Sequence, residues 1–281
     1  MQSYLRIITI LLLPVVVFTA CENQPRQTTF QGGALGTTYK VIVLPEQSFS
    51  LKQRQNTQQA IEGALDFVNE RMSTYRPDSE LSRLNAHSSP EPFPLSEETL
   101  EVMRLAQQVS RASNGAFDIT VGPLVNAWGF GPEGTVLEKP GEEQLAQLRR
   151  IVGPDKIIIE ENGVRKAHPD VYCDLSGIAK GYAVDCVARA LEKFNLRNYM
   201  VELGGEIRVR GSSPRGGPWR IGIERPEPER RGVQHVVQLT GMAMATSGDY
   251  RNYREEEGRR LSHLIDPRTG RPIEHNLASV T

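Results

Sequence analysis

The chain has 281 residues, with 33 Lys and Arg against 34 Asp and Glu, for a net charge of −1. That balance leaves no electrostatic footprint for nucleic acid or for an anionic membrane surface. The length suffices for one large domain with a full hydrophobic core, and three cysteines are too few for a disulfide framework.

At the start, Arg6 precedes the apolar run of residues 7–18 (IITILLLPVVVF), which is too short to cross a bilayer as a mature helix. The small residues Thr19 and Ala20 then lead into Cys21, the arrangement a lipoprotein signal peptidase requires. Residues 1–20 therefore read as a lipoprotein signal peptide and Cys21 as the lipidated N-terminus. Residues 21–29 read as a polar tether and residues 30–281 as the folded domain. The other cysteines, Cys173 and Cys186, read as buried free thiols, the second on the apolar face of a helix.

A strand is expected over residues 38–44, followed by a helix carrying Ile61, Leu65, Val68 and Met72 at helical spacing and ending before Pro77. A second helix opens at Ser96, with Glu97 and Glu98 at the positive end of its dipole. It turns Val102, Leu105, Ala106 and Val109 inward and stops at Gly115. Residues 140–152 predict a third helix, and residues 157–167 a hairpin turning at Asn162-Gly163. The fourth helix places Ala179, Tyr182, Ala183, Cys186, Val187, Ala190, Leu191 and Phe194 on one stripe. Strands follow over residues 200–209, 219–223, 236–239 and 261–265, with 225–231 as a solvated hairpin loop. Strands and helices mixed without a regular βαβ rhythm indicate an α+β class.

The nucleotide-binding and hydrolase signatures G-x-x-x-x-G-K-[ST], H-E-x-x-H and G-x-S-x-G do not occur. Four polar clusters interrupt the apolar pattern instead, each where a loop meets a regular element. In residues 115–123, Phe117 and Asp118 sit beside flexible glycines, which suits a planar ring with hydrogen-bonding edges and equally suits a turn. In residues 174–182, Asp174 and Lys180 flank a helix N-terminus that attracts phosphate oxygens; Asp174 as a plain cap and Lys180 as a surface lysine is the alternative. Gly181 inside that helix costs about 1 kcal/mol against alanine, which points to close approach by a ligand or another element. In residues 201–207, Gly204 and Gly205 interrupt a strand as a bulge would, with Glu202 and Glu206 beside it. The fourth cluster joins residues 245–250 to 262–270, where His263 precedes an Asp-Pro turn and fits either an acid/base or a structural role.

In this order the clusters resemble the FAD:protein FMN transferase family, also described as ApbE-like thiamine biosynthesis lipoproteins, from about Phe30 to the last residue. The markers are Gly36-Thr37-Thr38-Tyr39, the run from Met72 to Glu80 (MSTYRPDSE), GAFDITVGPLVNAWGFG at 115–131, residues 174–182, Leu203-Gly204-Gly205, Thr246-Ser247-Gly248-Asp249-Tyr250, and residues 263–270. The resemblance implies a single α+β domain of mixed sheets packed with helices. It implies Mg²⁺-dependent transfer of FMN from FAD to a Thr or Ser hydroxyl of a partner flavoprotein, such as a subunit of a membrane redox complex, with release of AMP. It places FAD against Leu35, Tyr75, Ala116, Phe117, Asp118, Asp174, Lys180 and Ile265, with Leu35 standing where the family usually has methionine. Gly177 would offer its carbonyl to the magnesium ion, His263 would take the hydroxyl proton, and Asp266 would orient His263 or bind substrate. The location implied is the periplasmic face of the inner membrane, by lipid anchor.

The family's remaining metal ligands, an aspartate and a threonine or serine, are expected beyond Thr281, so the C-terminal part of the domain and of the metal site is expected to be missing. A Mg²⁺-dependent FAD pyrophosphatase and a non-catalytic flavin-binding lipoprotein are the competing readings.

Overall fold

The computed structural model describes residues 27–132, 134, 138–227, 232–248, 253–256 and 259–281. The expected signal peptide and Cys21 lie outside these residues, as do Asp249, Tyr250 and residues 228–231 of the expected loop.

β1 (Thr28–Ala34) and β2 (Thr37–Val43) form an antiparallel hairpin. β1 begins within the stretch expected to be tether, two residues before the expected domain boundary. α1 (Leu51–Met72) starts with a capping box, in which the Ser50 side chain accepts from the Gln53 N–H while the Gln53 side chain accepts from Ser50. Its buried face carries Thr57, Ile61, Leu65, Val68 and Met72. α2 (Glu80–Ala86) is capped by Ser79, and β3 (Phe93–Pro94) leads to α3 (Glu97–Ala112), capped by Ser96 as expected. α3 ends when Asn114 and Gly115 turn to φ 52° and 74°, letting the Gly115 N–H reach Ser110 O at 2.8 Å.

The face of α3 differs from expectation. Leu105 and Val109 are 50% and 40% exposed, while Leu100 and Met103 are buried beside Val102 and Ala106. The helix carries apolar residues on more than one face, so spacing alone chose the wrong edge of the stripe. α4 (Gly122–Ala127) and α5 (Glu142–Leu148) are short, and α5 continues into one tighter turn over Arg149–Ile151. β4 (Ile157–Ile159) and β5 (Gly163–Lys166) form the expected hairpin, with β3 on the other side of β5.

α6 (Ala179–Lys193) packs on α1 and buries Ala179, Ala183, Val184, Val187, Ala188 and Leu191. Phe194, expected on this stripe, caps the helix and is exposed. β6 (Tyr199–Leu203) and β7 (Glu206–Arg210) are two strands where one with a bulge was expected: Gly204 and Gly205, at φ 58° and 104°, reverse the chain between them. β8 (Trp219–Glu224) and β9 (Val233–Leu239) make a second hairpin, and β10 (Ala243–Met244) adds to β7. Short strands close the chain. β11 (Ser247–Gly248) pairs with β16 (Ser279–Val280), β12 (Tyr253–Glu256) with β13 (Arg259–Ser262), and β14 (Ile265–Asp266) with β15 (Arg271–Pro272). The strand expected over residues 261–265 is broken at His263 and Leu264.

The class is α+β. A five-stranded sheet in the order β1-β2-β6-β7-β10 carries α1 and α6 on one face, over a core that includes Phe30, Val41, Ile61, Val68, Leu191 and Tyr199. Burying each such side chain contributes roughly 1.5–3 kcal/mol. The β8–β9 hairpin supplies Trp219, Ile221 and Leu239 to a cluster with Leu44 and Val209. A third cluster joins Leu124, Trp128, Leu145 and Val152 to Ile265. Among the described residues no helix is long and apolar enough to cross a membrane.

Candidate functional site

The site is built around the start of α6. Upstream, Asn85 on α2 grips the Cys173 peptide at both ends, donating to Cys173 O at 2.9 Å and accepting from its N–H at 2.7 Å. The next N–H, of Asp174, donates to Ile119 O at 2.7 Å. That bond joins the first polar cluster to the second. The Asp174 carboxylate accepts from the Ser176 N–H at 2.8 Å and from its hydroxyl at 2.5 Å, a local turn. It does not cap α6, whose N-cap is Ile178 with no side-chain acceptor; the Ala179 N–H goes to Leu175 O at 2.8 Å, which leaves the Lys180 and Gly181 N–H groups for another partner. Lys180 is the second residue of the helix rather than a turn further in.

Phe117 lies over Gly177. A Cβ at Gly177 would stand 3.0 Å from the Phe117 ring, so a larger residue there would push the ring away. Phe117, Leu35, Ile178 and Tyr182 are half-buried against the main core. Ala116 beside them is exposed. Asp118 is only 6% exposed, and its Oδ1 accepts from the Thr120 N–H at 2.8 Å and hydroxyl at 2.7 Å. Burial raises its pKa above the usual carboxylate range, against the pull of the two Thr120 bonds. At Gly181 nothing approaches within 4 Å of a Cβ position, so no other element makes the close approach expected there.

The third cluster faces the same helix end. Lys180 Nζ is 3.0 Å from Glu206 Oε1. The Gly204 N–H donates to Thr38 O at 3.1 Å, and a Cβ on Gly204 would meet Thr37 Cγ2 at 2.8 Å. The β6–β7 turn thus rests on the β1–β2 turn, where Leu35 and Gly36 hold φ 48° and 72°. Two consecutive positive φ values are the geometry of a tight primed hairpin turn. A leucine there carries strain, which recurs at ligand-contact positions. Tyr75 sits in the loop between α1 and α2 and is 67% exposed; its N–H donates to Ser73 Oγ at 3.1 Å, and Ser79 Oγ holds Ser73 O at 2.5 Å.

The fourth cluster is tied to the first through α4. The Trp128 indole donates to Gly270 O at 2.8 Å, and the Phe130 ring meets His263 edge-on at 6.4 Å between centroids. Ile265 packs beside Trp128. Asp266, expected to orient His263 or bind substrate, is held by its neighbour Arg268. Its two oxygens take Arg268 Nε and Nη2, each at 2.9 Å, which holds its pKa below the usual range.

Among the described residues no group of three or more His, Cys, Asp or Glu side chains is placed to hold a metal ion. Gly177 offers one backbone carbonyl, so the described donors do not by themselves fit a magnesium site. Cys173 and Cys186 are free thiols, as expected. Burial pushes the Cys173 thiol up to about 12; Cys186 is only half-buried and accepts from Arg189 at 3.1 Å. Sequence reasoning missed Asn85 and Thr120 altogether and gave Glu206 no role beyond flanking a bulge, although it follows the paired glycines directly.

The sequence profile of the ApbE family matches residues 35–281, from the strained leucine onward. The chain belongs to the ApbE family. Over 270 residues it is 46% identical to the FAD:protein FMN transferase of Vibrio cholerae serotype O1, covering 96% of this chain and 80% of that protein. Over 283 residues it is 38% identical to the Escherichia coli K12 protein of the same name, again covering 96% and 80%. The solved flavin transferase ApbE from Vibrio cholerae superposes with a TM-score of 0.82 at 46% identity, over 90% of this chain and 80% of that one. The apo form of Pseudomonas stutzeri flavinyl transferase ApbE gives 0.80 at 38% identity, over 90% and 78%. Every ApbE-family marker from Gly36 to Gly270 falls within the matched span.

Proposed function

We propose that this chain is an FAD:protein FMN transferase. The observation that carries the reading is the meeting of three polar clusters at the N-terminus of α6: Asp174 N–H on Ile119 O, Phe117 over Gly177, and Lys180 beside Glu206. FAD is the substrate, contacted by Leu35, Tyr75, Ala116, Phe117, Asp118, Asp174, Lys180 and Ile265.

A Thr or Ser hydroxyl of an acceptor flavoprotein attacks the FMN-side phosphorus of FAD. The new P–O bond forms as the pyrophosphate bridge breaks, and AMP leaves with the bridging oxygen. Charge builds on the phosphoryl oxygens, where the Lys180 ammonium and the N–H groups of Lys180 and Gly181 at the start of α6 act. Phe117 and Leu35 give the site an apolar wall, and Asp118 offers an acceptor to an N–H edge. His263 takes the hydroxyl proton, its ring steadied by Phe130. The resemblance adds Mg²⁺, toward which the Gly177 carbonyl would be one ligand among others not found in the described residues; such an ion would supply charge stabilisation to the pyrophosphate. It also adds a lipid anchor at Cys21 on the periplasmic face of the inner membrane, with a membrane redox-complex subunit as acceptor.

The test is to incubate the purified chain from Glu22 onward with FAD, Mg²⁺ and a carrier domain bearing an acceptor threonine, and record the carrier's intact mass. The expected result is an added FMN mass that is lost with EDTA. AMP without an adduct would replace transfer by hydrolysis, and neither product would leave a flavin-binding protein.

A further inference from the structure

Glu206 is fixed from several directions. It follows the Gly204–Gly205 turn, pairs with Leu203 in the sheet register, and belongs to a turn pinned by Gly204 N–H on Thr38 O and by Gly205 N–H on Glu202 Oε1 at 3.0 Å. One of its oxygens, Oε1, takes Lys180 at 3.0 Å. The other, Oε2, is buried and has no hydrogen-bond partner. An orphaned buried acceptor costs about 1–3 kcal/mol, and more when charged. A lysine ammonium rides on a flexible four-carbon stem, so a carboxylate on a rigid turn decides where that charge sits.

We propose that Glu206 positions Lys180 against the FAD pyrophosphate and that its Oε2 accepts a hydrogen bond from a sugar hydroxyl flanking those phosphates; this rests on the FMN-transfer reading. Oε2 needs a donor. Phosphate oxygens only accept and are repelled by the carboxylate. A divalent cation is disfavoured by the ammonium 3.0 Å from the sister oxygen. The ribityl and ribose hydroxyls are the donors next to the phosphates that Lys180 reaches. The same carboxylate keeps phosphate off its own side of Lys180 and so sets the register of the dinucleotide.

The experiment measures FAD affinity by flavin fluorescence and single-turnover FMN transfer by intact mass, for the parent chain, Glu206→Gln, Lys180→Ala and the double variant. Expected for Glu206→Gln is FAD binding weakened about tenfold and transfer at saturating FAD slowed at least about tenfold, with an unchanged melting temperature. Added to Lys180→Ala, the same change costs no more than about threefold, because its effect acts through the lysine. Additive losses in the double variant would overturn the positioning role. In the parent chain, ADP-ribose should displace FAD about tenfold better than inorganic pyrophosphate; equal competition would overturn the hydroxyl contact, whether or not the variants fold. A parent that neither binds FAD nor transfers FMN removes the transfer reading and this inference together. A parent that does both, matched by Glu206→Gln, removes this inference alone.

Discussion

The indole of Trp128 and the carbonyl of Gly270 meet at 2.8 Å in a buried setting, although 142 residues separate them. The bond fixes the turn that carries Ile265 and Asp266 against α4, and α4 follows directly from Asp118 and Thr120. Trp128→Phe keeps most of the packing but leaves the Gly270 carbonyl without its donor. The expected loss is about 1–3 kcal/mol in urea unfolding, with transfer slowed more than FAD binding is weakened.

Asp118 should leave a signature in the acid limb of stability. Its folded pKa is raised, so between the ordinary value of 3.8 and the raised one the folded chain keeps a proton that the unfolded chain has lost. Stability attributable to this group is therefore highest below pH 3.8 and falls as pH climbs through that window. Asp118→Asn keeps the acceptor for Thr120 and removes the titration. Unfolding free energy measured from pH 3 to 7 should show the variant gaining on the parent as pH rises; parallel curves would contradict the assignment.

Leu35 pairs a strained backbone with a half-buried side chain. Leu35→Gly relieves strain of roughly 1–3 kcal/mol and forfeits packing of similar size. Thermal unfolding should therefore shift little, within about 1 kcal/mol. FAD affinity should nonetheless fall several-fold, since the side chain is read as part of the flavin wall. A large stability loss with unchanged affinity would make Leu35 a packing residue.

The division of labour between the two ends of the site separates binding from chemistry. Asp174→Ala and Lys180→Ala should each weaken FAD retention about tenfold or more, by loss of turn geometry or of charge at the phosphates. His263→Ala should leave FAD affinity near the parent value and slow FMN transfer at least about a hundredfold, the usual scale for a general base. Equilibrium dialysis with FAD and the carrier mass assay distinguish the two classes.

Much of the frame was legible because its signals are local. Ser96 caps α3 where a serine before two glutamates stands in the sequence, and Ile61, Leu65, Val68 and Met72 fall on the buried face of α1. The errors have physical causes. Gly204 and Gly205 serve a bulge and a turn equally well, because both need positive φ, and only the pairing of β6 with β7 decides. β1 escaped notice because TTFQGGA alternates weakly and its pairing with β2 supplies what its sequence lacks. The motifs marked Lys180 and Asp174 but not Glu206, whose role depends on contact across two elements. The pairing of Asp266 with Arg268, two residues on, is a local contact that the Asp-Pro turn did not announce.

The order of the main sheet has a bearing on how the chain must come together. β2 offers its free edge as soon as residue 43 is made, yet its partner β6 is not available until Tyr199–Leu203 has been synthesised. Through all that time the first hairpin presents an unpaired edge rich in Val and Ile, the kind of template on which chains cross-pair. Closing so long a loop also makes the step slow. Assembly of the sheet thus awaits the helices between, and whatever escorts the nascent chain has most to protect at Thr37–Val43.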